Sequence, residues 1–240
     1  MGKTFVLVHG AWAGGLVWRS IARALRSKGH EAYAPTLTGL GERKHLLSRQ
    51  IDLDTHIQDV LGVIAEEDLS DLVLVGHSYG GMVITGVADA IPDKISSLVY
   101  LDAFVPENGE ALAGIVQTGP GRVRPSLLAG AEWLAPCPPI EAFGEPSDAV
   151  REFGARKTSA HPVACFTQPV RLTGGIELIR RKMYIYCNDP QPTTFTPFYE
   201  KLRRKDGWAV HTLPCTHMVQ FDMPEELTAL LLQAATSEDK

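Results

Sequence analysis

Two kinds of hydrophobic spacing alternate along this chain. Short runs such as Phe5-Val6-Leu7-Val8 and Leu72-Val73-Leu74-Val75 are apolar at every position, which suits strands covered on both faces. Between them lie stretches with the period of a helix. The first carries Val17, Trp18, Ile21, Ala22 and Leu25 on one face and ends near Gly29, a residue that commonly closes helices. The same reading predicts strands over 4–9, 31–35, 72–75, 97–102, 182–187 and 208–213. It predicts further helices over 55–67, 82–90, 197–204 and 224–235. Strands that alternate with amphipathic helices build βαβ units. The expected fold class is therefore α/β, a mostly parallel sheet flanked by helices. The alternation lapses over 106–181, which is rich in Pro and Gly, shows no clean strand, and carries scattered Trp133, Phe143, Phe153 and Phe166. The expected organisation is a core from 1–105 and 182–240, with 106–181 inserted as a cap over a site.

Composition narrows the function classes. The 240 residues suffice for one domain with a sizeable core. With 45% hydrophobic and 21% charged residues, the profile is globular rather than disordered. The net charge of −5 speaks against a nucleic-acid partner. No apolar run reaches the length of a membrane span. The apolar stretch over 4–8 is too short for a signal-peptide core, and Val6 stands where a myristoylation site needs Ser or Thr, so the expected location is cytoplasmic. Cys137, Cys165, Cys187 and Cys215 form no C-x-x-C pair. They are expected to be reduced and packed as small hydrophobes rather than to bind zinc. The composition is compatible with a homodimer.

The candidate chemistry centres on Gly76-His77-Ser78-Tyr79-Gly80-Gly81, which follows a predicted strand and precedes a predicted helix. A G-x-S-x-G sequence in that setting has the form of a nucleophile elbow, with the serine hydroxyl raised on a tight turn. The bland alternative is a glycine-rich turn with no chemistry. A serine nucleophile needs a neutral base and a group to orient it. Of eight histidines, His217 alone follows the last predicted strand in a loop before the closing helix. His9 and His77 read as structural or pocket-wall residues, and His30, His45, His56, His161 and His211 as surface, loop or strand residues. Two acids end predicted strands. Asp189 follows Met183-Tyr184-Ile185-Tyr186-Cys187-Asn188, and Asp102 follows Ser97-Leu98-Val99-Tyr100-Leu101. The chain order serine, acid, histidine favours Asp189, with Asp102 as the alternative. An oxyanion hole needs two backbone N–H groups, and Tyr79 after the serine and Ala11 in His9-Gly10-Ala11-Trp12-Ala13-Gly14-Gly15 are the candidates.

These segments resemble the α/β-hydrolase superfamily, and more narrowly the branch of plant methylesterases, hydroxynitrile lyases and many bacterial esterases. The resemblance spans nearly the whole chain, from the first glycine loop and the elbow to Leu98–Gly109 and the loop around His217. It implies an α/β-hydrolase fold with no cofactor or metal in the reaction. It places the catalytic acid 28 positions before the histidine, at Asp189, the oxyanion donors at Ala11 and Tyr79, and a pocket-lining cap tryptophan at Trp133. Hydroxynitrile lyases of this branch carry a threonine and a lysine where this chain has Gly10 and Met218. Neither residue supplies a hydroxyl or a positive charge, so the resemblance points to an esterase. The stretch from Thr118 to Pro139 matches the plant proteins poorly.

The expected activity is hydrolysis of a small, largely apolar ester through Ser78, His217 and Asp189. Trp133, Leu134, Phe143, Phe153, Phe166 and Met218 are expected to offer an apolar pocket, and Arg122 and Arg124 to attract an acidic substrate or simply to be solvated. A lyase and a binding receptor of the same fold are the rival readings. Cys187 and Cys215, each two residues before a triad candidate, are expected to lie close enough to the site for a bulky thiol reagent to slow the enzyme.

Overall fold

The computed structural model describes residues 2–118, 132–189 and 193–236. The chain begins with β1 (Thr4–Val8), α1 (Arg19–Ser27), β2 (Glu31–Tyr33), α2 (Leu53–Glu66), β3 (Leu72–His77), α3 (Gly80–Ala90) and β4 (Ile95–Leu101). Next come α4 (Leu112–Thr118), β5 (Leu134–Ala135), α5 (Asp148–Lys157), β6 (His161–Pro162) and α6 (Ala164–Thr167). It closes with β7 (Lys182–Cys187), α7 (Thr196–Leu202), β8 (Trp208–Leu213), α8 (Val219–Asp222) and α9 (Pro224–Ala235).

Six strands form one parallel sheet in the order β2-β1-β3-β4-β7-β8. Successive residues of a strand face opposite sides, and both sides here are apolar. Val6, Val8, Leu72 and Leu74 join the core beneath α2 and α3. Phe5, Leu7, Val73 and Val75 join the core beneath α1 and α9. That double burial explains the uninterrupted apolar runs. The helix α2 starts earlier than its periodicity predicts, because Asp52 caps it: its carboxylate accepts from the Thr55 N–H. Trp18, Ile21 and Leu25 are fully buried, as the spacing predicts.

The stretch between β4 and β7 holds a strand pair that the sequence pattern did not reveal. β5 and β6 pair antiparallel through two residues each, too short to show an alternation. Arg122 and Arg124 lie outside the described residues.

The β3–α3 turn is crowded. A Cβ on Gly76 would lie 2.6 Å from the Gly80 carbonyl oxygen, and one on Gly81 would collide with the Phe104 carbonyl oxygen. Neither neighbour is a flexible side-chain end. Gly81→Ala is therefore expected to destabilise the fold by about 3 kcal/mol. A urea titration would show this as a lower midpoint at constant slope.

Candidate active site

Ser78 is held at φ +56°, a left-handed conformation that costs a non-glycine residue roughly 1–3 kcal/mol. Its surroundings over-determine it. The Ser78 N–H donates to the Leu101 carbonyl, and the Ser78 carbonyl accepts from both Gly81 and Phe104. The side chain faces a narrow cavity of about 40 Å³ whose wall includes Gly10, Ala11, Trp12, His217 and Met218.

The loop after β8 folds back across the sheet to reach this cavity. The His217 N–H donates to the Phe143 carbonyl, and the His217 carbonyl accepts from His77 Nε2 at 2.9 Å. The imidazole lies against the rings of His77 at 4.4 Å and Phe195 at 4.9 Å, with Phe143 stacked at 5.7 Å. Its Nδ1 meets Asp102 Oδ2 at 2.6 Å. Asp102 is 1% exposed, and its Oδ1 accepts the Cys187 N–H at 3.2 Å.

The sequence favoured Asp189 as the acid, but the carboxylate that contacts His217 is that of Asp102. Asp189 is solvent-exposed, and its backbone N–H is spent on the Cys215 carbonyl. The physical reason lies in strand order. β4 lies between β3 and β7, so the end of β4 adjoins the elbow. A histidine loop pinned to His77 at the end of β3 therefore lands over Asp102, one strand short of Asp189.

Burial pushes the His217 imidazole down from 6.5 to about 3, and pushes the Asp102 carboxyl up. The first effect keeps the ring neutral at neutral pH, with one ring nitrogen free of hydrogen. Asp102 can hold the Nδ1 hydrogen and so set that tautomer.

The oxyanion candidates also have a physical basis. His9 Nε2 accepts the Leu37 N–H at 3.1 Å, so Nδ1 carries the hydrogen and donates to the Gly10 carbonyl at 2.8 Å. The planar trans peptide then turns the Ala11 N–H the opposite way. Trp12, at φ +61°, is clamped by three bonds. Its N–H donates to His161 Nδ1, its indole donates to the Ala135 carbonyl, and its carbonyl accepts from Ser159. Among the described residues, no protein acceptor takes the Ala11 or Tyr79 N–H.

Other expectations divide. Met218, Phe143 and Phe153 line the cavity. Trp133 does not: it lies under the Arg49 guanidinium at 5.4 Å, and the tryptophan in the wall is Trp12. Phe166 stacks on His161 instead. Cys187 and Cys215 are buried behind Asp102, so a bulky reagent meets Cys137, the thiol that lines the cavity.

His56 and His161, expected at the surface or in loops, are fully buried. With Cys165 they form a cluster whose donor atoms lie within 4.8 Å of one another. The cluster is already committed. His56 donates to the Thr38 carbonyl through Nε2 and accepts the Tyr79 hydroxyl at Nδ1. His161 accepts Trp12 at Nδ1, which leaves hydrogen rather than a lone pair on Nε2. That donor set does not suit a cation.

Buried neutral histidines also set acid stability. Desolvation lowers His9 and His56 to about 4 and carries His77 and His161 well below 6.5. Unfolded histidines bind protons below about 6.5, so stability is fully present above that value and is lost as pH falls toward 4. Tm is expected to drop steadily between pH 7 and 4, with His9 and His56 each contributing roughly 3 kcal/mol of the loss. A flat Tm over that range would refute this reading.

Comparison with known proteins agrees with the architecture. Residues 5–230 match the model of the alpha/beta hydrolase family. A carbendazim hydrolyzing esterase of Nocardioides sp. (strain SG-4G) is 44% identical over 237 residues, covering 95% of this chain and 97% of its own. Methylesterase 7 of Arabidopsis thaliana is 26% identical, covering 97% of this chain and 96% of its own. Among solved structures, an extracellular α/β-hydrolase from a Paenibacillus species, described as sharing structural and functional homology with tobacco salicylic acid binding protein 2, superposes with a TM-score of 0.83 at 26% identity, covering 98% of this chain and all of that one. This chain belongs to the α/β-hydrolase family, in the company of plant methylesterases and bacterial esterases.

Proposed function

We propose a serine mechanism for this protein, a carboxylesterase, in which Ser78, His217 and Asp102 act together on small, largely apolar esters. The observation that carries the proposal is the buried 2.6 Å contact between His217 and Asp102, with Ser78 lining the same cavity as the histidine. His217 Nε2 takes the Ser78 hydroxyl proton as the oxygen attacks the ester carbonyl. Asp102 keeps the other ring nitrogen protonated and stabilises the imidazolium. The Ala11 and Tyr79 N–H groups receive the negative oxygen, aided by the N-terminus of α3. His217 then protonates the departing alcohol, and water repeats the cycle on the acyl-enzyme.

The stretch 106–181 supplies part of the cavity wall through Cys137, Ile140, Phe143, Phe153 and Thr158, which supports its role as a cap. The cavity is mainly apolar, and Gly10 and Met218 leave no cation beside the histidine for a cyanide leaving group. Among the described residues no helix is long and apolar enough to cross a membrane. The direct test is hydrolysis of short-chain p-nitrophenyl esters and of carbendazim, the compound named for the 44% identical relative. Turnover with a burst of nitrophenol would support the acyl-enzyme, and its absence on every ester would refute the reading.

A further inference from the structure

The two oxyanion candidates, Ala11 and Tyr79, come from different loops, so their spacing and aim depend on what holds those loops together. Ala11 is followed by Trp12, whose φ of +61° lies in the left-handed region. A tryptophan leaves that region unless its surroundings prevent it. The rotation concerned adjoins the Ala11–Trp12 peptide, so relaxation of Trp12 would re-aim the segment that carries the Ala11 N–H.

His161, from the cap, touches both loops. It belongs to β6 and pairs with Ala135 of β5. Its Nδ1 accepts the Trp12 N–H at 3.2 Å, which fixes the peptide plane directly after Ala11. Its ring meets the Tyr79 ring edge-on at 4.9 Å between centroids. Phe166 stacks on the imidazole at 4.4 Å and packs in turn against Trp12 and Tyr79. The other two bonds on Trp12 come from the same part of the cap. Its indole donates to the Ala135 carbonyl at 3.0 Å, and its carbonyl accepts the Ser159 N–H at 2.9 Å. His161 is fully buried, and that burial keeps the ring neutral, so Nδ1 retains its lone pair. A leucine or phenylalanine at 161 could fill similar space, but it would leave the buried Trp12 N–H unpaired.

We propose that His161 is a positioning residue for ester hydrolysis, which sets the Ala11 and Tyr79 N–H groups relative to each other by holding Trp12 through its backbone and Tyr79 through its ring. It is not among the residues that line the Ser78 cavity, so it acts through those two neighbours rather than on the substrate. The β5–β6 pair thereby braces the oxyanion hole as well as covering the site. The proposal rests on the reading of Ala11 and Tyr79 as oxyanion donors.

Acylation and deacylation both pass through an oxyanion, so a displaced donor weakens the transition state more than the ground state. His161→Leu is expected to lower kcat on a p-nitrophenyl ester by about tenfold to a hundredfold, with KM moving less than about threefold. The Ki of an aryl trifluoromethyl ketone, whose serine adduct carries the oxyanion, is expected to rise by a similar factor. The Ki of the matched methyl ketone, which adds to serine far less readily, is expected to move less than about threefold. His161→Asn, whose Oδ1 can stand where Nδ1 stands, is expected to recover most of both losses. A merely structural role would weaken both ketones together and would not be rescued by asparagine. If His161→Leu does not fold, Trp12→Phe carries the test. It removes only the indole's bond to Ala135 and is expected to show the same split between the ketones at about threefold to tenfold. Equal weakening of the two ketones, or an unchanged kcat, overturns the role of His161. A wild type that holds the trifluoromethyl ketone no more tightly than the methyl ketone, or whose activity survives Ser78→Ala, sinks the oxyanion reading itself and this proposal with it.

Discussion

Ser78→Ala is expected to lower kcat by roughly 10⁴- to 10⁶-fold while leaving substrate binding nearly intact. The hydroxyl is the one nucleophile that the strained turn raises into the cavity. Losing it removes the covalent route, and the oxyanion donors and binding remain to act on water. The strain at φ +56° is also relieved only slightly, because alanine too resists a positive φ, so the fold should survive. Single-turnover kinetics on a p-nitrophenyl ester, with the melting temperature as a control for folding, would measure the loss. A variant that keeps a tenth of the wild-type rate would remove Ser78 from the mechanism.

The second large effect separates the two acids. Asp102→Asn is expected to cost on the order of 10⁴-fold in kcat, and Asp189→Asn less than about twofold. The structure explains the asymmetry. The Cys187 N–H donates to Asp102 Oδ1, so an asparagine would place its carbonyl oxygen there and its NH₂ toward His217. Nδ1 would then have to accept, which moves the ring hydrogen to Nε2 and blocks proton transfer from Ser78. Asp189 is exposed at the end of β7, and its charge there is well solvated. Paired kinetics of the two variants, with Asp189→Asn as the internal control, decide between them. A large loss in Asp189→Asn with little in Asp102→Asn would restore the acid that chain order favours.

Much of the fold was legible because its causes are local. Runs such as Phe5–Val8 are apolar on every residue since each strand lies between two helical layers, and that demand is written directly into the pattern. The elbow was legible because its glycines cluster at fixed spacing around Ser78, although only Gly76 is required by the turn itself; Gly80 is crowded by the Val8 and His9 carbonyls and Gly81 by the Phe104 carbonyl. The resemblance also marked His217, and the structure places it in the cavity of Ser78.

Other features depend on contacts between distant segments. His56 and His161 are 105 positions apart in a chain read one segment at a time, yet each is buried against the other and against Tyr79. Trp12 rather than Trp133 faces the cavity because cap residues Ala135, Ser159 and His161 clamp it in a conformation that its own sequence disfavours.

By itself the sequence carried the α/β alternation and the family, and it pointed to Ser78 and His217 as the candidate nucleophile and base. Only the tertiary structure brings Asp102, rather than Asp189, against His217. Asp102 and Asp189 both end strands, and nothing along the chain states which strand end lies beneath the histidine. That follows from β4 being the neighbour of β3 in the sheet and from the His217 loop folding back onto β3, a relation between segments more than a hundred residues apart.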